Sequence, residues 1–320
     1  MTALNFGFDA RSTRLWTTGY RDETDLSDLV GNVGARGFRR RCILTEGGKT
    51  ACFIGPLWLP LFLQPKALVP LCPLDLTFQL SKPSFAIRSR SHHTKYRYNF
   101  RKFTMKVPRM KVAPSVASRL EQKLATEVAK YSIRNVSTRC FTINAGARKY
   151  DCDPFGIGTN TLPQTAIMAL VATSSVQGVE NESPFYFNNY NLTDISLNYE
   201  GQTLPTPSGF TNLTWSGDQE NYMIAYAALF ENTVKEDYGC GIQLEEFKKS
   251  FAFYRFSFGN YQTNSHDHQE PARIGSCRLS MTFAPPPTRA NPCLTLLIFQ
   301  ERNNVIGVDG QRNIFRDFVL

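Results

Sequence analysis

Two histidines one residue apart, His266 and His268, with Glu270 two positions further on, are the side chains best suited to hold a transition metal. The set lacks a third imidazole in a suitable place, because no histidine follows His268 and the other two are His92 and His93. A solvated polar loop is the plainer reading. The eight cysteines, Cys42, Cys52, Cys72, Cys140, Cys152, Cys240, Cys277 and Cys293, never approach a CxxC spacing, so neither a zinc site nor a redox pair is written locally. They read as buried free thiols. Asp151 with Asp153 and Glu245 with Glu246 are carboxylate pairs of the kind any surface offers. No GxSxG elbow, GK[ST] phosphate loop or HExxH helix occurs. GIGTNT from Gly156 lacks the third glycine of a dinucleotide turn, and GCG at Gly239 has no phosphate-binding context. The motifs tilt toward a structural protein, with no cofactor, no metal site and no catalytic residue expected.

The strongest charge feature runs from Arg88 to Lys111, with nine Lys or Arg and no acid, equal to the formal charge of +9 of the whole chain. Such a block can contact phosphates. Its period is two: Tyr96, Tyr98 and Phe100 alternate with Lys95, Arg97 and Arg101. That predicts a half-buried strand with one aromatic and one basic face. Lys95, Arg97, Arg101 and the adjoining Lys102 are then candidates for a basic surface turned toward nucleic acid.

The elements that must position these groups are mostly strands. Runs suited to strands occur at Ala51 to Ile54, Leu57 to Leu63, Leu74 to Leu80, Phe85 to Arg88 and Tyr96 to Val107. Others follow at Ser132 to Ile143, Gln164 to Ala172, Asp194 to Tyr199, Phe251 to Phe258, Cys277 to Ala284 and Leu294 to Glu301. A final hairpin is expected from Val305 to Phe318, with Asp309-Gly310 as a two-residue turn. In PSVASRLEQKLATEVAK, Val116, Leu120, Leu124 and Val128 recur every four residues behind Pro114, which predicts an amphipathic helix. Shorter helices are expected at Glu220 to Phe230 and Leu244 to Lys249. Long loops at Asp151 to Leu162, Gln202 to Gln219, Gly259 to Arg273 and Ala284 to Asn291 suit contacts with neighbours. The pattern is mainly β: a sandwich or jelly roll with one or two short helices.

Composition agrees. The chain has 42% apolar and 20% charged residues with 24 Phe and 13 Tyr, enough for a large core rich in strand-forming rings. No charged-then-apolar leader opens it, so an intracellular, reducing compartment is expected, in nucleus or cytoplasm, and the sequons at Asn191 and Asn212 are expected to be idle. The apolar stretch from Phe53 to Leu76 is interrupted by five prolines and Lys66, so it reads as extended segments and not as a membrane span.

Several blocks, CPLDLTFQLSKPSF, KVAPSVA, PFYFNNYNLTDISLNYEG and the closing NNVIGVDGQRNIFRDFVL, resemble the double jelly-roll major capsid proteins of Polinton/Maverick elements and their adintovirus and virophage relatives. The matching positions are Pro73, Asp75, Lys82, Phe85, Pro114, Pro184, Phe185, Asp309, Asn313 and Asp317. The resemblance implies two jelly rolls side by side, a homotrimeric capsomer, a place in the virion and shell assembly without catalysis. It also implies that most of the first jelly roll is missing here, as in an N-terminally truncated or domesticated copy. The expected division is a weakly ordered segment over 1–35, remnant strands of a first jelly roll over 36–88 and a complete second jelly roll over 89–320. Expected partners are copies of the chain itself and, non-specifically, packaged DNA, with no membrane. Two other classes stay open: a cupin-like metal-dependent enzyme using His266 and His268, and a basic nucleic-acid-binding module.

Overall fold

Strand structure starts at Ala129, where a run with Ile133, Val136, Thr138, Phe141 and Ile143 favours extended backbone. The computed structural model describes residue 10 and residues 36–89, 96–156, 161–179, 182–216, 220–230, 240–258, 273–285 and 292–317. Strands are β1 (Ala129–Ile143), β2 (Lys149–Cys152), β3 (Thr165–Ala172), β4 (Leu192–Tyr199), β5 (Gln202–Leu204), β6 (Phe253–Ser257), β7 (Cys277–Phe283), β8 (Leu294–Val308) and β9 (Ile314–Asp317). One sheet runs β1-β8-β3-β6 with β9 also on β8; the other runs β2-β7-β4-β5.

Every ladder is antiparallel, and the pairs nest: β1 with β8, β2 with β7, β3 with β6 and β4 with β5. That is a long antiparallel ribbon rolled up so that its strands are shared between two facing sheets. The fold is therefore a jelly roll, as the sequence pattern led us to expect. β8 is its spine. Its whole length pairs with β1, from Ala129 opposite Val308 to Ile143 opposite Leu294, while β3 and β9 divide its other edge.

The core lies between the sheets. Met168 and Leu170 of β3, Ile195 and Leu197 of β4, Leu279 of β7 and Leu296 and Ile298 of β8 are all buried. β3 is buried along both faces, because Ile167, Ala169 and Val171 are also covered. A continuous apolar run is what such a doubly covered strand requires. Trp215, Tyr222 and Phe247 add a stack of nearly parallel rings, with Trp215 and Tyr222 at 5.5 Å and 10°.

Helices are short. Before the sandwich come α1 (Arg36–Thr45), the single turns α2 (Pro60–Leu63) and α3 (Pro83–Ala86), and α4 (Pro114–Thr126). Within it are α5 (Thr173–Gln177), α6 (Met223–Ala227) and α7 (Leu244–Lys249). α4 starts with Pro114 in its first turn, where a missing N–H costs nothing, and ends as Glu127 turns extended. α7 closes a capping box in which the Gln243 and Glu246 side chains satisfy each other's backbone N–H.

Several expectations need correction. None of the five runs between Ala51 and Val107 forms a ladder; among the described residues this stretch is extended chain with the turns α2 and α3. Apolar alternation supplied strand propensity there, but no neighbouring strand accepts its backbone. The predicted loop after Gln202 begins instead with β5, and β2 overlaps the loop predicted after Asp151. The closing hairpin has a five-residue loop, since Val308 pairs with Ile314, and its left-handed residue is Arg312, not Gly310. Asp309 explains this: its carboxylate accepts from the Asn313 backbone at 2.8 Å and from the Asn313 amide at 2.9 Å, so the loop closes on side-chain bonds. All eight cysteines are free, yet only Cys277 is buried, and Cys42, Cys52 and Cys140 are exposed.

Candidate assembly surface

The segment from Ala51 to Val112 carries most of the exposed apolar surface. Leu71 is 84% exposed, Met110 74%, Ile54 63%, Phe100 61% and Phe103 60%. Side chains of this size normally lie inside, and a contiguous set of them marks an interaction surface. Tyr96 and Phe100, expected on the buried face of a strand, are exposed, and so are Arg97, Arg101 and Lys102. Tyr98 and Phe100 share a face, with ring centres 5.6 Å apart, but the stretch pairs with no strand among the described residues. Lys95 lies outside the described residues.

Three anchors tie this arm to the sandwich. At the first, the Tyr131 hydroxyl of β1 accepts from the Val69 backbone at 2.9 Å and donates to the Ala67 carbonyl at 3.2 Å. Val69, Leu124, Tyr131 and Val308 form a small separate apolar cluster there. Burial raises the Tyr131 pKa, which keeps the phenol protonated and able to donate.

At the second, Phe85 packs edge-on against Phe185, 6.0 Å between ring centres and 69° between planes. Arg88 donates to the Val179 carbonyl at 2.9 Å beside it. The third is Arg312 in the closing loop, which donates through Nε to the Pro70 carbonyl at 2.9 Å and pairs through Nη2 with Glu121 of α4 at 2.6 Å. The structure thus brings together Phe85 with Phe185 and Asp309 with Asn313. Pro114 opens α4, Lys82 precedes α3, and Asp317 stands opposite Val305 in β9. Pro184 lies in the turn beside Phe185, whereas Pro73 and Asp75 lie on exposed extended chain and join none of these contacts.

The α4 stripe is only one-quarter covered, because Leu124 is buried while Val116, Leu120 and Val128 are exposed. The turn α2 also packs against β1, and within the arm Phe78 meets Phe103 at 4.5 Å and Tyr98 donates to the Ser81 carbonyl.

The groups weighed for chemistry are otherwise engaged. A shallow depression of about 590 Å³ is lined by Asp151, Asp153, Glu200, Cys277 and Arg278, among others. The Ser280 hydroxyl donates to Asp151, and Arg278 stands 3.4 Å from the same carboxylate; the Ser280 bond leads in holding its pKa below the usual range. Asp153 accepts from the backbone of Phe155 and Gly156, so it caps its own turn. Glu246 is spent in the capping box and Glu245 faces Lys249 at 3.9 Å. Among the described residues no three His, Cys, Asp or Glu gather as metal ligands. His266, His268, Glu270 and Gly239 lie outside the described residues.

No family model matches the chain. An uncharacterized protein of Caenorhabditis elegans, F54H12.2, is 23% identical over 325 aligned positions, covering 99% of this chain and 73% of the worm protein. Among solved structures, the VP54 protein of PBCV-1 fitted into a reconstruction of the virophage Sputnik is 10% identical over 65% of this chain, with a TM-score of 0.42. A quasi-atomic model of the PBCV-1 virus capsid is 10% identical over 63% of this chain, with a TM-score of 0.38. The chain spans about half the length of these two viral chains, 55% of each. Among the described residues no helix is long and apolar enough to cross a membrane.

Proposed function

We propose that the chain is a capsid-type shell subunit of the Polinton/Maverick kind, or a domesticated descendant of one, which acts by assembly and not by catalysis. The observation that carries this reading is the apolar surface exposed along the arm from Ala51 to Val112, which is anchored to the jelly roll at Tyr131, Phe185 and Arg312. A large side chain gains about 1.5–3 kcal/mol when moved from water into a packed interior. A surface with this many of them is stabilised when another domain covers it. In this reading residues 36–88 belong to the junction with a first jelly roll, the partner is another shell subunit, and the assembled unit is a homotrimer. Arg97, Arg101 and Lys102, exposed on the same arm, are placed for loose contact with packaged DNA.

Light scattering coupled to size-exclusion chromatography on the full chain tests it. The expected result is concentration-dependent oligomers that bind an apolar-surface dye. Replacing Leu71, Phe100, Phe103 and Met110 together with Ser should return the chain to a monomer with an unchanged circular dichroism spectrum. A wild-type monomer that binds no dye would overturn the shell reading.

A further inference from the structure

Arg139 and Arg302 converge on one polar patch, linked through the Gln300 side chain and the Pro154 carbonyl. Register sets this up: on the inward face of β1, Ile143 and Phe141 are followed by Arg139, Ser137 and Asn135, opposite Leu294, Leu296, Ile298, Gln300 and Arg302 of β8. Apolar pairs fill the covered part of that face. Polar ones follow further along the ribbon, where Gln300 is still buried.

Arg302 donates through Nη1 to the Gln300 side chain at 2.6 Å and to Ser137 Oγ at 3.4 Å, and through Nη2 to the Thr161 carbonyl at 3.5 Å. Gln300, itself buried, donates to the Pro154 carbonyl at 3.2 Å, and Arg139 reaches the same carbonyl at 3.5 Å. The Arg139 guanidinium lies over Gly156, whose φ of +84° is what favours glycine there, since a Cβ would displace only the flexible tip of Arg139. Every one of these partners is neutral. Among the described residues neither guanidinium has a carboxylate in ion-pair reach: Glu301, between Gln300 and Arg302, points to the other face toward Arg134 at 3.8 Å, and Asp153 is held by its turn.

Two like charges held together, one of them partly buried, are an unfavourable arrangement unless something of opposite sign completes it. Burial and the neighbouring Arg139 both press the Arg302 pKa downward. Arg139 is exposed, and among the described residues only its Nη1 donates a hydrogen bond. A phosphate group, with several acceptor oxygens and up to two charges, fits paired guanidiniums better than a single carboxylate does.

We infer that Arg139 and Arg302, supported by Ser137 and Gln300, form a binding site for a phosphate group. The site does not rest on the shell reading and stands even if the chain proves monomeric. It differs from the basic run between Arg88 and Lys111, whose charges are spread along exposed chain and not held in one place.

Phenylglyoxal labelling of the full chain, read by peptide mass spectrometry, tests it through the reactivity of Arg139. Inorganic phosphate should slow labelling of Arg139 more than sodium chloride of equal ionic strength, and Arg139→Gln should weaken phosphate binding by about tenfold in calorimetry. Arg302→Lys, which keeps the charge but not the fork, should weaken it as well. A decathymidylate arm separates the sources: protection by the oligonucleotide identifies a nucleic-acid backbone, and protection by inorganic phosphate alone identifies a small phosphate compound. Equal slowing by phosphate and chloride would overturn the site, as would unchanged phosphate binding in Arg139→Gln.

Discussion

The backbone N–H of Val69 is held by the hydroxyl of Tyr131 at 2.9 Å, a bond that joins the arm to the first strand of the sandwich across 62 positions of sequence. Tyr131 is 3% exposed, so the N–H it serves has no water in reach. Tyr131→Phe keeps the ring and strands that donor. The expected cost is about 1–3 kcal/mol, the price of an unsatisfied buried polar group. Limited proteolysis should show earlier cleavage in the arm near Val69, while circular dichroism of the jelly roll stays unchanged.

The closing loop touches α4 at a place where only glycine fits. A Cβ on Gly310 would lie 2.7 Å from the Leu124 carbonyl oxygen and 3.1 Å from its carbon, both backbone. Gly310→Ala must therefore push the helix away, with an expected loss of about 1–3 kcal/mol in denaturant unfolding. Gly146→Ala is the useful contrast. That site has open space but a φ of +74°, so its penalty is conformational only, about 1–2 kcal/mol. Tryptic cleavage after Lys123 should increase in Gly310→Ala and not in Gly146→Ala.

The sandwich was legible in the sequence and the arm was not, for one physical reason. Strands β3, β4, β7 and β8 bury side chains against each other, so their apolar period reflects a real partner. The run Tyr96 to Val107 has an equally clear period and no strand partner among the described residues, and alternation alone cannot distinguish the two cases. β5 went unread because three residues, Gln202–Leu204, are too few to show a period. The α4 helix was legible from its four-residue repeat, but not that only Leu124 of the stripe would be covered. The Arg139–Arg302 pair left no sequence signal, because 163 positions separate residues that only the β1–β8 register brings together.

Thiol chemistry should follow the burial pattern and not the cysteine count. Burial pushes Cys152 up to about 11 and Cys277 up to about 12, so neither carries thiolate at neutral pH. Cys42, Cys52 and Cys140 are exposed. Iodoacetamide labelling at pH 8, followed by peptide mass spectrometry, should modify these three first and leave Cys152 and Cys277 unmodified until the chain unfolds. Early labelling of Cys277 would mean that β7 does not pack as described.

Acid should loosen the closing hairpin before it affects the core. The Asp309 pKa lies below the ordinary carboxylate value, chiefly because the Asn313 side chain donates to the ionised form, with the Asn313 and Gln311 backbones adding to it. A carboxyl with a depressed folded pKa binds fewer protons when folded than when unfolded. Its contribution is complete above the unfolded value of about 3.9 and is lost as the pH falls through the lower folded value. Amide exchange at Asn313, whose N–H bonds Asp309 directly, should therefore lose protection on acidification below pH 4 or so while Leu296 and Ile298 in the core remain protected. Asp309→Asn retains an acceptor oxygen but no titrating group. In that variant the acid-dependent loss of protection should disappear, and its persistence would mean that Asp309 is not the group responsible.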